Sequence, residues 1–365
     1  MSRLWLCSQK NHRQMESRLY KVAKAVFEIR LEEPWRFMQY SDVVLERIRT
    51  ASEGGIGLPV LPTRAGDKEP RRTLIQKREE LLPGCDLKTS LDLSQYEPFR
   101  YQGVGKPDFT VTVKAGPEGC PALGEKLLSV DSQPPYYTIY EDAGAPRITL
   151  DENLGSREPA ATLCINPSFT EGEIYPSAKL QPQSLVFELS TALMMMFTYN
   201  QSSKDSLLVH ASAVEYKGQA NIFLGRSGTG KSTHSHLWLE HIAGAGLIND
   251  DNPVISFSDD GKPYVYGTPW SGKTPCYRNI SVPVRAIVRL EQAPENSITR
   301  NSGFEAYASF IGSVSSIRWN RAIMDGISSS AEKLVQQAKV FVLKCRPDRD
   351  AALTCLKAIE EESAD

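Results

Sequence analysis

Gly225-Arg226-Ser227-Gly228-Thr229-Gly230-Lys231-Ser232 is the stretch of this chain with the clearest structural signal. It matches the pattern G-x-x-x-x-G-K-[ST], whose glycines let successive N–H groups point into one concave nest for phosphate. Apolar residues precede it and a helical pattern follows, so the helix would direct its positive end at the same nest. The sequence therefore predicts a nucleotide-binding loop between a strand and a helix, made of Gly225, Arg226, Ser227, Gly228, Thr229, Gly230, Lys231, Ser232 and Thr233.

Two adjacent carboxylates form the second signal. Asp250 and Asp251 follow an apolar segment and lie 19 and 20 positions after Lys231. In phosphoryl transfer, one such carboxylate holds Mg²⁺ together with the hydroxyl of Ser232, and the other is free to accept a proton from a substrate hydroxyl. The alternative interpretation is a solvated turn.

Two further groups of residues are candidates for the site. His210 ends an apolar segment 21 positions before Lys231, where a purely structural histidine is the alternative. Residues 266–275, YGTPWSGKTP, lie between two predicted strands, and such a composition is typical of a functional loop. We expect its tryptophan to offer a stacking face and nearby basic side chains to contact phosphate, with a structural hairpin loop as the alternative. The residues concerned are Trp270, Ser271, Lys273 and Arg278.

The first half of the chain has a β-rich pattern with long loops. Alternating apolar and polar residues predict strands at residues 20–31, 107–113 and 146–150. Apolar positions at spacings of three and four predict a buried helix over residues 183–199. The predicted organisation is a disordered tail at 1–14, a β-rich domain at 15–200 that ends in this helix, and a second domain at 201–365.

The second half alternates strands with helices, but hairpins interrupt the alternation. This pattern predicts an α/β domain with a mixed sheet rather than a purely parallel one. Strands are predicted at 206–216, 219–224, 247–248, 252–257, 262–267, 282–290 and 339–345, and helices after residue 232, within 304–338 and at 348–361.

Composition excludes several classes of function. The chain has 42 Lys+Arg against 44 Asp+Glu and a net charge of −2, which argues against a protein that coats nucleic acid or an anionic membrane. No run approaches the ~20 apolar residues of a membrane helix. The seven cysteines are far apart and include no C-x-x-C pair, which argues against structural zinc and a disulfide framework. We therefore expect a cytoplasmic protein with reduced thiols.

The quoted motifs resemble those of a known group. LGRSGTGKSTHSHLW, LINDDNPVI and YGTPWSGK are similar to the bacterial HPr-kinase-related P-loop proteins, whose structural group includes ATP-dependent phosphoenolpyruvate carboxykinase. The resemblance covers about residues 205–365 well and the first half more loosely. It implies the fold class α/β, with a mixed-sheet P-loop core of the HPr kinase/phosphoenolpyruvate carboxykinase type beside a β-rich α+β amino-terminal domain.

The resemblance also implies roles for individual residues. Asp250 matches the catalytic base, Asp251 its neighbour near the metal, and His210 a histidine expected to orient or polarise Asp250. Together with Lys231 they would form the catalytic set, using ATP and a Mg²⁺ ion held by Ser232 and Asp251. The leading hypothesis is an ATP- and Mg²⁺-dependent kinase that phosphorylates a serine residue or a small serine-like acceptor.

Two alternatives stay open at this point: a carboxykinase-like lyase, and a non-catalytic nucleotide-binding sensor or scaffold. The residues that follow the loop, Thr233-His234-Ser235, differ from those of bifunctional HPr kinases, so the resemblance does not name the acceptor. The acceptor is an unknown hydroxyl-bearing protein or small molecule. Related enzymes assemble into oligomers, which makes a homo-oligomer one option for this chain.

Overall fold

The computed structural model describes residues 15–54, 86–131, 136–151, 158–272, 274–316 and 319–362. The predicted tail at 1–14 and the candidate residue Lys273 lie outside these ranges. None of the helices in the described ranges is both long enough and apolar enough to cross a membrane. The fold is mixed α/β, with two large sheets of mixed strand direction and a small two-stranded sheet.

The strands of the first half form an eight-stranded sheet in the order β1-β2-β5-β10-β9-β8-β7-β6. Antiparallel hairpins build most of it, and β5 pairs in parallel with β2 and β10. The strands are β1 (Met15–Val22), β2 (Ala25–Glu32), β5 (Phe109–Val113), β6 (Glu125–Val130), β7 (Tyr136–Asp142), β8 (Ala145–Asp151), β9 (Ala161–Ile165) and β10 (Glu171–Pro176). The short strands β3 (Arg36–Phe37) and β4 (Ser90–Leu91) form the separate two-stranded parallel sheet.

The strands of the second half form a nine-stranded sheet. Its centre is the parallel set β13, β17 and β19, and antiparallel strands flank this set. The strands are β11 (Ser206–Leu208), β12 (Ala211–Tyr216), β13 (Gln219–Leu224), β14 (Gly246–Asn249), β15 (Val254–Phe257), β16 (Pro263–Tyr266), β17 (Ser281–Gln292), β18 (Ser297–Asn301) and β19 (Lys339–Cys345). The mixed sheet predicted for this half is therefore confirmed.

Helices cover both faces of the second sheet. The helices of the described residues are α1 (Asp42–Gly54), α2 (Pro182–Gln201), α3 (Lys231–His241), α4 (Gly303–Ile311), α5 (Arg321–Gln337) and α6 (Arg349–Glu361), with a 3-10 helix at Ser94–Phe99. The central strand β13 is buried on both sides because Ile222 packs into the core with α5, whereas Phe223 packs against α3 and α6. This three-layer arrangement requires the nearly continuous apolar run seen in β13.

One apolar core joins the two large sheets. It contains side chains from β1 and β2 through to β19, and helix α2 packs on β5 of the first sheet and on β11 of the second. The predicted helix over 183–199 is confirmed as α2, and its Leu185, Leu189, Leu193 and Met196 are fully buried. As a result, the first half lies directly against the part of the chain that carries the glycine-rich motif.

Two predictions of strands need correction. The single strand expected over residues 20–31 is the hairpin of β1 and β2, because Ala23 adopts a left-handed conformation with a φ of 54°. Such a turn was not predicted because the sequence there has no glycine, asparagine or proline. The single strand expected over 206–216 is divided into β11 and β12, which pair with different neighbours. The break falls at Val209 and His210, so the histidine lies in the short connection between the two strands.

Candidate functional site

A glycine-rich loop, residues 225–230, connects β13 to α3 (the glycine loop). Gly228 and Gly230 have φ values of 81° and 108°, in the region that favours glycine. Gly230 precedes the first residue of α3, so the N–H groups of the first turn face the space beside the loop. The side chain of Gln292, at the end of β17, donates to the carbonyls of Gly228 and Thr229 at 3.4 Å. No sequence motif indicates this support, because Gln292 is more than 60 positions from the loop.

Lys231 begins α3 and is 7% exposed. Its ammonium group donates to the carbonyl oxygen of Gly225 at 3.0 Å and lies 2.9 Å from Nε2 of His210. Burial lowers the pKa of Lys231, while Asp251 and Asp250 oppose that shift. Because the lysine donates, Nε2 of His210 must accept, which places the imidazole proton on Nδ1.

His210 connects Lys231 to the acid pair. Its Nδ1 lies 3.2 Å from Oδ1 of Asp251, so the neutral tautomer donates to that carboxylate. His210 was expected to orient or polarise Asp250, but the carboxylate that it contacts directly is that of Asp251. The three side chains form a row in which a lysine donates to a histidine and the histidine donates to an aspartate.

The backbone of the acid pair is fixed by Asn249, which is fully buried. Its Oδ1 accepts from the backbone N–H groups of Asp251 and Asn252, both at 2.9 Å. Its Nδ2 donates to the hydroxyl of Thr268 at 3.1 Å. The turn after β14 is thus held by side-chain hydrogen bonds, and the two carboxylates leave it in fixed directions.

Asp250 is 4% exposed and receives only one hydrogen bond from the described residues. Ser212 on β12 donates to its Oδ1 at 2.8 Å, and the hydroxyls of Ser212 and Ser235 are 2.6 Å apart. Since Ser212 donates to the carboxylate, Ser235 is the donor to Ser212. The other oxygen, Oδ2 of Asp250, is buried and has no partner among the described residues. A buried carboxylate oxygen without a donor is costly, so it is available to a ligand.

Asp251 is more accessible, with 34% of its side chain exposed. Its Oδ2 accepts from Nδ2 of Asn252 at 2.8 Å. A Cβ placed on Gly272 would lie 3.1 Å from Cβ of Asp251, so the loop after β16 approaches this aspartate closely. Carboxylate and hydroxyl oxygens are hard ligands that suit Mg²⁺. Asp251 and Ser232 both line one cleft, so the residues present fit such an ion.

The expected substrate loop is only partly open to a ligand. Trp270 is 4% exposed, donates from its indole nitrogen to the hydroxyl of Tyr96 at 3.0 Å, and packs edge-on against Phe197. Its ring is therefore a packed contact between the two halves rather than a free stacking face. Ser271 lines the cleft, whereas the guanidinium of Arg278 donates to the carbonyl of Leu247 at 2.7 Å. The structure does not bring Arg278 to the cleft.

The cleft has a volume of about 1010 Å³. Of the candidate residues it gathers His210, Ser227, Gly228, Gly230, Lys231, Ser232, Thr233, Asp250, Asp251, Trp270 and Ser271. Gly225, Arg226, Thr229 and Arg278 do not line it. Further lining comes from Met38 after β3 and from β4, α1, the 3-10 helix and α2, none of which the sequence connected to the site. A cleft of this size lies at the upper end of the roughly 300–1,000 Å³ that hold a drug-sized ligand.

The comparison with protein families finds one similarity. Residues 177–346 match the family described as SynChlorMet cassette protein ScmC. The match covers just under half of the chain and begins before α2, so it includes the helix that lines the cleft as well as the glycine loop and the acid pair. The description names no reaction. No curated protein matches the chain.

Proposed function

We propose that this protein is an ATP- and Mg²⁺-dependent kinase with a P-loop core of the HPr kinase type, and that it phosphorylates a hydroxyl group. The observation that carries the proposal is Oδ2 of Asp250, a buried carboxylate oxygen without a partner among the described residues, on a side chain that lines the same cleft as the glycine loop. A general base needs an unoccupied lone pair within reach of the substrate proton. The free lone pairs of Asp250 meet that need.

The residues divide between phosphate binding and proton transfer. The amides of the glycine loop and the ammonium of Lys231 would bind the outer phosphates of ATP. Ser232 and Asp251 would hold a Mg²⁺ ion, which would neutralise phosphate charge. The acceptor oxygen attacks the γ-phosphorus and forms the new P–O bond, the P–O bond to ADP breaks, and the hydroxyl proton moves to Oδ2 of Asp250.

His210 has a positioning role in this scheme. It donates to Oδ1 of Asp251 and accepts from Lys231. It therefore fixes the distance between the ammonium of Lys231, which would bind phosphate, and the carboxylate of Asp251, which would bind the metal. Ser212 does the same for Asp250 by donating to Oδ1, which leaves Oδ2 as the oxygen for the proton. Positioning and electrostatics of this kind supply most of the rate in phosphoryl transfer.

The test compares Asp250→Asn, Lys231→Ala and an exposed control, Asp259→Asn on the turn between β15 and β16. Each protein is incubated with γ-labelled ATP and cell extract, and labelled protein is resolved from labelled small molecules. We expect Asp250→Asn to lose about 100-fold or more of the label transfer, as removal of a general base does. Its affinity for ATP should stay near that of the unchanged protein, whereas Lys231→Ala should bind ATP weakly.

Two outcomes would contradict the proposal. If Asp250→Asn transfers label as fast as Asp259→Asn, Asp250 is not the base. If the unchanged protein binds ATP but labels neither protein nor small molecules, the chain is better explained as a nucleotide-binding sensor. Transfer to small molecules alone would place the acceptor among metabolites, and transfer to protein would place it on a polypeptide.

A further inference from the structure

The first half of the chain builds one end of the cleft. Strands β3 and β4 are parallel, so their carboxyl ends meet at one edge of the two-stranded sheet. Met38 follows β3 and Asp92 follows β4, and the backbone N–H of Met38 donates to the carbonyl of Leu91 at 3.1 Å. Both Met38 and Asp92 line the cleft. The small sheet therefore places an apolar and an acidic side chain next to each other at this end.

Helices α1 and α2 add apolar side chains to this end, beside the polar Gln183, Ser190 and Thr191 of α2. Val44 and Ile48 are four residues apart on α1, which puts them on one face of that helix. Val186, Phe187 and Met194 come from one face of α2. Phe187 is 51% exposed even though it lies within a 20-residue helix of the core. An aromatic ring held open over a cleft is an apolar surface available to a ligand.

Asp92 has no cationic partner among the described residues. Its Oδ1 accepts from the hydroxyl of Tyr40 at 2.7 Å and from the backbone N–H of Ser94 at 3.2 Å. Burial, together with the charge of Asp92, raises the pKa of Tyr40 well above its usual value, so the tyrosine remains a donor. In the described part of the cleft, the basic side chains, Lys231 and His210, lie at the phosphate end.

We propose that this end of the cleft binds the phosphoryl acceptor, and that the acceptor is a hydroxyl compound with an apolar group and a cationic nitrogen that pairs with Asp92. The hydroxyl of the acceptor rests on the proposed kinase function. Its apolar group and its cationic nitrogen are inferred from the apolar side chains and from Asp92 described above. Asp92 is half-buried and has no cationic partner among the described residues, so a cationic ligand would form a charge-assisted hydrogen bond with it. The neighbouring apolar side chains give the second group a surface to bury.

The cation could belong to a small amino alcohol or to a basic residue beside a serine, and the probes separate these sources. L-Phenylalaninol carries a phenyl ring, an amine and a primary hydroxyl, and 3-phenylpropan-1-ol lacks only the amine. The tripeptide amides acetyl-Phe-Ser-Lys and acetyl-Phe-Ser-Glu differ in the charge beside the serine. Binding is measured by calorimetry on the full chain with Mg²⁺ and a non-hydrolysable ATP analogue, and turnover by ADP release with ATP.

We expect the cationic member of at least one pair to bind about 10- to 100-fold more tightly than its partner, as a charge-assisted hydrogen bond allows. Asp92→Asn should abolish that preference, and Asp142→Asn, on the exposed turn between β7 and β8, should keep it. A preference for phenylalaninol identifies the free amine as the source, and a preference for the lysine peptide identifies a polypeptide.

Equal binding of the members of both pairs to the unchanged protein would overturn the inference, as would a preference that survives in Asp92→Asn. Lack of binding by every probe would also overturn it. Binding that depends on Asp92 without any turnover would keep the acceptor site but refute the kinase function, so the two failures are distinguishable.

If Asp92→Asn does not fold, Phe187→Ala provides the second test. This exposed truncation should lower the affinity for phenylalaninol relative to ethanolamine, and an unchanged ratio would count against the site.

Discussion

Mild acid should destabilise this protein through one buried histidine, His234. It lies in the first turns of α3, is 3% exposed, and packs edge-on against Phe223 at 4.7 Å between ring centroids. Its Nε2 accepts from the indole nitrogen of Trp238 at 3.1 Å, so the ring must be neutral at that nitrogen. Burial lowers the pKa of His234 from 6.5 to about 4. Its neighbour His236, two positions along the same helix, is exposed.

The sign and size of the effect follow from the two pKa values. The unfolded chain takes up the proton near pH 6.5, and the folded protein only near pH 4. The neutral buried ring therefore contributes stability that is fully present above pH 6.5 and is lost as the pH falls toward 4. Between pH 7 and pH 5, linkage gives a loss of about 2 kcal/mol in the free energy of unfolding. The helix affected is the one that begins with Lys231.

The assay is urea unfolding followed by tryptophan fluorescence at pH 7 and pH 5, on the unchanged protein and on His234→Gln. Glutamine retains a carbonyl acceptor for the indole of Trp238 but does not titrate in this range. The unchanged protein should lose about 2 kcal/mol more than His234→Gln between the two pH values. His236→Gln, on the exposed side of the same helix, should behave as the unchanged protein does. Equal losses in the unchanged protein and His234→Gln, or an NMR titration of the His234 ring near pH 6.5, would refute the reasoning.

Two further substitutions test contacts that hold the cleft together. Ser212→Ala removes the hydrogen bond to Oδ1 of Asp250 and should lower the free energy of unfolding, measured in urea, by about 1–3 kcal/mol. It should also lower the rate of label transfer from ATP. An unchanged rate would show that this contact does not position the base. Trp270→Phe keeps a ring between the halves but removes the hydrogen bond to Tyr96, and it should cost about 1 kcal/mol in the same measurement. A loss of ATP affinity in Trp270→Phe would contradict the packed role of the indole.

The glycine loop and the acid pair could be located from sequence because their geometry is encoded locally. Gly228 and Gly230 have to be glycine for conformational reasons, and Lys231 has a fixed place after them. Asp250 and Asp251 end a short buried strand, which apolar spacing predicts. These features depend on residues within a few positions of one another, so a pattern of spacing is enough to find them.

The supporting residues could not be located in this way because tertiary pairing brings them together. Ser212 reaches Asp250 only because β12 pairs with β14, and the register shifts between Ala213 and Val214. In the sequence, Ser212 is one small polar residue in an apolar strand. The contact of His210 with Asp251 depends likewise on where the strand break falls. The sequence shows only that Ser212 and His210 are polar residues with apolar neighbours in a strand pattern. It does not show which groups they form hydrogen bonds with.

The hydrogen bonds of Lys231 indicate how phosphate binding would affect the acid pair. Its ammonium has three donors, and Gly225 and His210 take two of them. The third is free for the outer phosphates of ATP, whose negative charge would also compete with Gly225 and His210 for the other two. If the bond to His210 is the one lost, Nε2 of the histidine is freed while Nδ1 still donates to Asp251. Nucleotide binding would then change the hydrogen bonding of His210 at Nε2, while Nδ1 would keep the carboxylate of Asp251 in place. A histidine between Lys231 and Asp251 can do both, and a histidine beside Asp250 could not.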